Sequence, residues 1–326
     1  MSKKYNWAIL GCGKIAKKFT NDLKLLPNAK LYATASRSLK NAKDFANEFG
    51  YQKAFGSYQE MVEDDKVDIV YIATPHSFHL EHTLLCLNHK KAVLCEKAFA
   101  INTKEVRQMI KASKGNNTFL MEAFWTIFQP QFLKIVKIVK SKELGELKFV
   151  KSDFMFNAEY DSDKRLYNIN LGAGSLLDIG IYPIFTSLFL LGKPSEIKTI
   201  VNMRSTGVED SIAMLFSYKN GAMAVLTSSF ESSCKNETEL CFENGFIKVD
   251  RISSDPILMN KNGADQFIDF DTISGLGYEL EAAHVMECLD KNLIESPILP
   301  LSFSLDLMEI MDAVRKEANI VFPNHD

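Results

Sequence analysis

Over its first 120 residues the chain alternates short apolar runs with stretches whose apolar residues recur every three or four positions. Trp7-Ala8-Ile9-Leu10 predicts a strand, and Ile15, Phe19, Leu23 and Leu26 after it predict a helix. Leu31 to Ala35 is the next strand and Leu39 to Phe49 the next helix. Asp68 to Ala73 is apolar on both faces, the mark of a central parallel strand. Leu80 to Leu87 and the group Val106, Met109, Ile110 predict helices, while Ala92 to Cys95 and Phe119 to Met121 predict strands. This β-α-β alternation specifies an α/β domain with a doubly wound parallel sheet over residues 1–123.

The pattern changes near residue 125. A helix from Phe132 to Val139 leads into Leu147 to Phe156, which alternates like a half-exposed strand, and a Gly-rich turn precedes an apolar helix from Ser175 to Leu191. Ile197–Met203, Ser211–Ser217, Ala222–Ser229, Glu239–Phe242 and Phe246–Val249 then read as strands joined by turns such as Glu243-Asn244-Gly245, a hairpin signature. Helices near 278–290 and 303–318 close the chain. Residues 124–326 therefore predict an α+β domain with a large, mostly antiparallel sheet.

A length of 326 residues agrees with two domains. The formal charge of -3 and the lack of a basic stripe argue against nucleic acid as a partner. No run is expected to reach the ~20 apolar residues of a membrane span. Met1 to Asn6 runs directly into a short strand, unlike a secretory signal, so a cytoplasmic protein with no membrane partner is expected. The six cysteines are scattered without a C-x-x-C pair, which fits reduced thiols.

Gly11-Cys12-Gly13-Lys14-Ile15-Ala16 has the form G-x-G-x-x-A between a predicted strand and a predicted helix, the context of a Rossmann dinucleotide site. Gly11 permits a tight turn, Gly13 lets backbone approach a pyrophosphate, and Ala16 lets helix and strand pack closely. An NAD enzyme usually carries Asp or Glu at the end of the second strand, whereas this chain has Ser36-Arg37-Ser38. Arg37 can pair with a 2′-phosphate and the two hydroxyls can donate to it, so NADP(H) is the expected cofactor. Arg37 stacking on adenine would instead admit NAD(H) as well. Thr74-Pro75-His76-Ser77-Phe78-His79 follows the central strand, where backbone lines the cofactor crevice. His76, His79 and His82 read as incidental to a helix start and no metal is expected.

Glu96-Lys97 ends the next strand at the same sheet edge. A lysine there lies beside the nicotinamide, and a cationic ring or partial burial suits it to exchange a proton with a substrate hydroxyl. Asp178 and Tyr182 stand at i and i+4 on the apolar helix, projecting together where a substrate or a structural network must satisfy them.

Gly11 to Ala16, Thr74 to His79, Glu96-Lys97 and Gly172 to Tyr182 together resemble the Gfo/Idh/MocA oxidoreductase family. Met121-Glu122-Ala123-Phe124-Trp125 and Asp178 to Pro183 are similar to its dimeric dihydrodiol dehydrogenase and NADP-linked D-xylose dehydrogenase branch. The resemblance implies Lys97 and Tyr182 as an acid–base pair, Asp178 as their orienter, and an open-faced sheet used for association into a homodimer or homotetramer. Two departures stand out. Ala98 replaces the usual proline, and an X–Ala bond does not become cis as readily as X–Pro. Tyr182 stands where many relatives carry histidine, and a phenol at neutral pH is a donor rather than a free base. Trp125 is expected at both cofactor and substrate. Phe154 is expected at the substrate, Arg165 either there or as a solvated loop residue, with Phe124, Phe128, Phe156 and Tyr160 as further wall residues unless they fill the core. The implied activity is hydride transfer between NADP(H) and a secondary alcohol of a sugar, cyclitol or cyclic diol. The alternatives are a non-catalytic NADP-binding sensor and an enzyme whose cofactor cycles between two substrates.

Overall fold

In the computed structural model, which describes residues 3–250 and 254–326, six strands with helices between them build the first unit. Met1 and Ser2, where the N-terminal reading begins, lie outside the described residues. The order is β1 (Tyr5–Leu10), α1 (Lys14–Leu23), β2 (Ala29–Ala35), α2 (Leu39–Phe49), β3 (Lys53–Phe55), α3 (Tyr58–Val62), β4 (Ile69–Ile72), α4 (His79–Asn88), β5 (Ala92–Glu96), α5 (Thr103–Asn116) and β6 (Leu120–Ala123). Every pairing is parallel, in the order β3-β2-β1-β4-β5-β6. That is the doubly wound Rossmann order, with the topological switch between β1 and β4, where ligands bind outside the carboxyl ends of the strands. All of β4 is buried, as a strand covered on both faces must be. Local chemistry punctuates the helices. Ser38 accepts the Asn41 N–H to open α2, and Gly50, at φ 85°, closes it. Asn102 accepts the Glu105 N–H while Glu105 reaches back to the Ile101 N–H, so α5 is capped in both directions.

The second unit holds α6 (Pro130–Ser141), β7 (Leu147–Met155), α7 (Ile181–Leu191), β8 (Glu196–Met203), β9 (Glu209–Ser217), β10 (Met223–Ser229), β11 (Glu237–Phe242), β12 (Gly245–Asp250), β13 (Ile257–Lys261) and β14 (Ala264–Ile268). Its eight-stranded sheet runs β14-β13-β12-β11-β7-β10-β9-β8, antiparallel except where β7 meets β10. One face is core: Ile212, Met214 and Phe216 of β9 are buried, α7 packs on β7 and β10, and Phe185 of α7 meets Phe132 of α6 at 5.5 Å. The alternate residues of the same strands face outward. Finally α8 (Tyr278–Asp290) and α9 (Leu301–Ala318) close the chain. Packing groups the residues up to Gln129 with Ile273–Leu305, and Pro130–Thr272 with Asp306–Asp326.

One expectation needs correction. The run Ile169–Leu191 does reach the length and apolarity of a membrane span, with a hydropathy of 1.6, but 78% of its most apolar window is buried inside the protein. Its apolarity serves the core of the second unit.

Candidate active site

The first unit presents a cradle at the carboxyl ends of β1 and β4. Gly11 has φ +98°, and a Cβ there would sit 3.0 Å from Thr74 Cγ2 and 3.1 Å from the Ala73 carbonyl carbon. Only glycine fits both the dihedral and the space. Gly13 caps α1 without a side-chain hydrogen bond to the helix N–H groups, Ala16 is fully buried against the sheet, and Lys14 stands exposed beside it. A helix N-terminus with no side-chain cap, behind a turn with glycine at Gly11 and Gly13, fits the pyrophosphate of a dinucleotide. Cys12 donates its thiol toward Ala35 O at 3.6 Å, and burial pushes that thiol up to about 11, so it stays protonated. Ile15 is half-buried.

At the end of β2, Arg37 lines a cavity of about 570 Å³ together with Gly56, Ser57, Tyr58, Gln59, Glu81, His82 and Leu85. The two serines beside it each accept a backbone N–H, which leaves their O–H groups able to donate. Ser38 Oγ caps α2, and Ser36 Oγ accepts the Ser38 N–H at 3.4 Å. Arg37 is thus the cationic group on this wall, its guanidinium 5.9 Å from the Phe78 ring centre. The sequence reading missed Tyr58, because α3 is one short turn with no clear period. It treated His82 as incidental, yet His82 takes part in the cavity wall. Its Nδ1 lies 3.0 Å from Thr74 Oγ1, and its ring stacks on Phe78 and meets Tyr58 edge-on. Burial, then His79 and Arg37, push the His82 imidazole down to about 4, so it is neutral at pH 7.

Lys97 follows β5 and is half-buried among buried neighbours, and the Lys97–Ala98 peptide bond is cis. Two contacts hold the segment around it. The His79 ring bridges Ala98 O and Thr74 O, each at 2.8 Å, which ties the residue after Lys97 to the Thr74-Pro75 loop. Burial pushes the His79 imidazole below its ordinary value, while the two carbonyls oppose that shift. On the other side Glu122 of β6 accepts the Phe99 N–H at 3.1 Å. Glu96 accepts a hydrogen bond from the Tyr71 hydroxyl, and Tyr71 stacks on Phe19 at 3.7 Å. His76 is buried edge-on to His79 at 5.6 Å, and Pro75 precedes it at the cap of a short 3₁₀ turn. Trp125 is half-buried with its ring 5.3 Å from Tyr278, while Phe124 and Phe128 are buried in the core. Among the described residues no group of three His, Cys, Asp or Glu side chains is placed to hold a metal ion.

The second unit carries Phe154, Arg165, Asp178 and Tyr182. The helix expected to hold Asp178 and Tyr182 at plain i, i+4 spacing is interrupted. Leu176–Gly180 is a π-helical turn, and α7 starts only at Ile181. Arg165 grips Asp178 with two parallel bonds, Nη1 to Oδ1 at 2.9 Å and Nη2 to Oδ2 at 3.1 Å. No periodicity signals that pair, because Arg165 lies in an irregular segment. The Tyr182 ring packs edge-on against Phe154 at 5.6 Å, and Phe154 and Phe156 lie on a core of Tyr167, Ile179 and Phe230. Tyr160 is exposed beneath the Arg204 guanidinium, 5.3 Å away. The arrangement can hold an anionic Asp178 at an aromatic floor beside a phenol.

Residues 5–124 match the GFO/IDH/MocA oxidoreductase family with its NAD-binding Rossmann fold, and residues 132–248 match the GFO/IDH/MocA C-terminal domain. Trans-1,2-dihydrobenzene-1,2-diol dehydrogenase of Mus musculus is 34% identical over 327 residues, covering 97% of this chain and 98% of its own. The Homo sapiens enzyme of that name is 35% identical over 330 residues, with coverage of 97% and 98%. Among solved structures, the aldose-aldose oxidoreductase of Caulobacter crescentus complexed with glycerol has a TM-score of 0.89 at 23% identity, covering 97% and 98% of the two chains. Levoglucosan dehydrogenase in complex with NADH and L-sorbose has a TM-score of 0.89 at 17% identity, covering 97% of each chain. At those identities the structures speak for the fold alone. The chain belongs to the GFO/IDH/MocA oxidoreductase family, and by class it is an NAD(P)-dependent dehydrogenase acting on CH–OH groups.

Proposed function

We propose that the protein transfers a hydride between NADP(H) and a secondary alcohol or carbonyl of a sugar, cyclitol or cyclic diol, with Lys97 and Tyr182 as its acid–base pair. The observation that carries the reading is a half-buried lysine at the carboxyl end of β5 in a segment held from both sides by His79 and Glu122. The nicotinamide, when bound, gives or takes the hydride. Gly11 to Ala16 hold the pyrophosphate, the Thr74 to His79 loop and Trp125 line the crevice, and Arg37 recognises the 2′-phosphate. In the oxidative direction Lys97 takes the hydroxyl proton as the carbinol C–H bond breaks, and Tyr182 donates a hydrogen bond to the same oxygen. Asp178, held in a two-pronged bond by Arg165, orients the polar edge of the substrate, and Phe154 bears on its ring. The names of the relatives favour a vicinal diol on a six-membered ring. The protein is further proposed to act in the cytoplasm as a homodimer or homotetramer.

The test is absorbance at 340 nm with NADP+ or NAD+, across aldoses, inositols and cyclic diols, with Lys97→Met and Arg37→Ala alongside. Turnover of one class should fall at least about a hundredfold in Lys97→Met, the usual scale of general acid–base catalysis, while NADPH fluorescence still reports binding. Arg37→Ala should weaken NADP(H) about tenfold or more and leave NAD(H) unchanged. NADPH binding without turnover of any class would point instead to a sensor.

A further inference from the structure

Glu122 is 1% exposed and pairs with Cys95 of β5 in the sheet register. Its Oε1 accepts the Phe99 N–H, two residues beyond Lys97. Its Oε2 is buried and faces the buried Ser304 hydroxyl, near enough for that hydroxyl to favour the carboxylate though outside ordinary hydrogen-bond geometry. Holding Phe99 takes one oxygen, and a glutamine would hold it equally well. A buried acidic group whose second oxygen meets a single, poorly aligned hydroxyl is a costly choice unless its charge is used.

The groups around it give that charge an object. Glu96 and Cys95 approach from β5, Lys97 from the segment after it, and Ser304 from α9. Glu96 already accepts the Tyr71 hydroxyl. On the reading of Lys97 as the acid–base group, we propose that Glu122 is its positioning residue: one oxygen fixes the Lys97 segment, and the other carries an ionisable charge that sets the lysine's affinity for its proton. Burial first, with Glu96 adding to it, pushes the Glu122 carboxyl up to about 7, against the pull of Ser304, the Phe99 N–H and Lys97. Ionised, Glu122 favours the ammonium form of Lys97. Protonated, it lets the amine form persist to lower pH.

Glu122→Gln keeps an acceptor for Phe99 and nearly the same volume. Its NADPH fluorescence titration should match the parent protein, and its melting temperature should match near pH 5 and exceed the parent's as pH rises toward 7, where only the parent must keep a raised carboxyl buried. The limb on which alcohol oxidation rises with pH should move down by about one to three units, the scale of a lost opposite charge. Infrared difference spectra between the two proteins should show a protonated carboxyl that is lost from the parent as pH rises through neutrality. Superimposable pH profiles, or no such band, overturn the proposal. Ser304→Ala leaves β6 untouched and should move the limb the same way by a smaller step. If Glu122→Gln does not fold, an unmoved limb in Ser304→Ala overturns the proposal by itself. Turnover surviving in Lys97→Met removes the acid–base reading and this proposal with it. An inactive Lys97→Met beside an unshifted Glu122→Gln removes only the role of Glu122.

Discussion

Asp178 shows how a single side chain depends on a partner distant in sequence. Its carboxylate is 11% exposed, and the two-pronged bond from Arg165 keeps it charged and fixed in rotation. Arg165→Ala should therefore lower kcat/KM about tenfold or more, the value of hydrogen bonds to a charged group, with NADPH binding unchanged. Arg165→Lys should recover little of it, because an ammonium lacks the planar fork. Full activity in the lysine variant would mean that only charge matters there. The sequence identified Asp178 and Tyr182 because two polar groups on an apolar helix are conspicuous. It left Arg165 between a substrate role and a solvated loop, since a bond across thirteen residues of irregular chain leaves no period. Gly11 was fully legible, because strand, glycine turn and helix are contiguous and the steric reason is local.

At the level of elements, alternation and helical period located most strands and helices, and the exceptions β3, α3, β13 and β14 have five residues or fewer. β3 and α3 have three and five residues, too short for any period to register. β14 reads Ala-Asp-Gln-Phe-Ile with almost every position exposed, so it has no buried face to betray it. The π-helical turn at Leu176–Gly180 was equally hidden, and the side chain bonded to its first N–H lies 33 residues away. Glu209 Oε1 accepts the Leu176 N–H at 2.7 Å, and the same oxygen would lie 2.4 Å from a Cβ on Gly174. The entrance to the segment carrying Asp178 is thus shaped around a buried carboxyl. Burial pushes that carboxyl up to about 7. Below about 4.5 it is protonated in both folded and unfolded chains. As pH rises toward 7 only the unfolded chain ionises, so stability is lost across that window and levels off above it. Relative to Glu209→Gln, the parent protein should lose on the order of 3 kcal/mol between pH 5 and pH 7.5, read as a widening gap in urea midpoints. A gap that does not change with pH would mean Glu209 is ionised throughout.

At the scale of the whole molecule, the doubly wound order of the first sheet followed from the β-α-β rhythm. The return of Ile273–Leu305 to the first unit did not, because α8 and the first turn of α9 carry no label for the surface they cover. The outward face of the second sheet makes the strongest claim at this scale. Ile200, Leu215, Met223 and Phe267 are 79%, 56%, 51% and 72% exposed. Between them the register sets Met223 beside Phe149, Phe149 beside Cys241 and Cys241 beside Phe246, an apolar row across four strands. Eight strands at about 4.8 Å spacing and roughly 17 Å of length present on the order of 600 Å². Two copies face to face would bury about 1,200 Å², the lower bound for a specific stable pair. Charge on the face does not oppose this, since Lys151 is answered by Glu239 and Glu239 by Lys248 along the next row. The expected outcome is a dimer mass by sedimentation at micromolar concentration. Ile200→Glu with Leu215→Glu, both on the exposed side and outside the core, should convert it to monomer while the far-ultraviolet circular dichroism stays unchanged. A double variant that remains dimeric would place the interface on another surface, and a parent protein that sediments as a monomer would leave this face to some other partner.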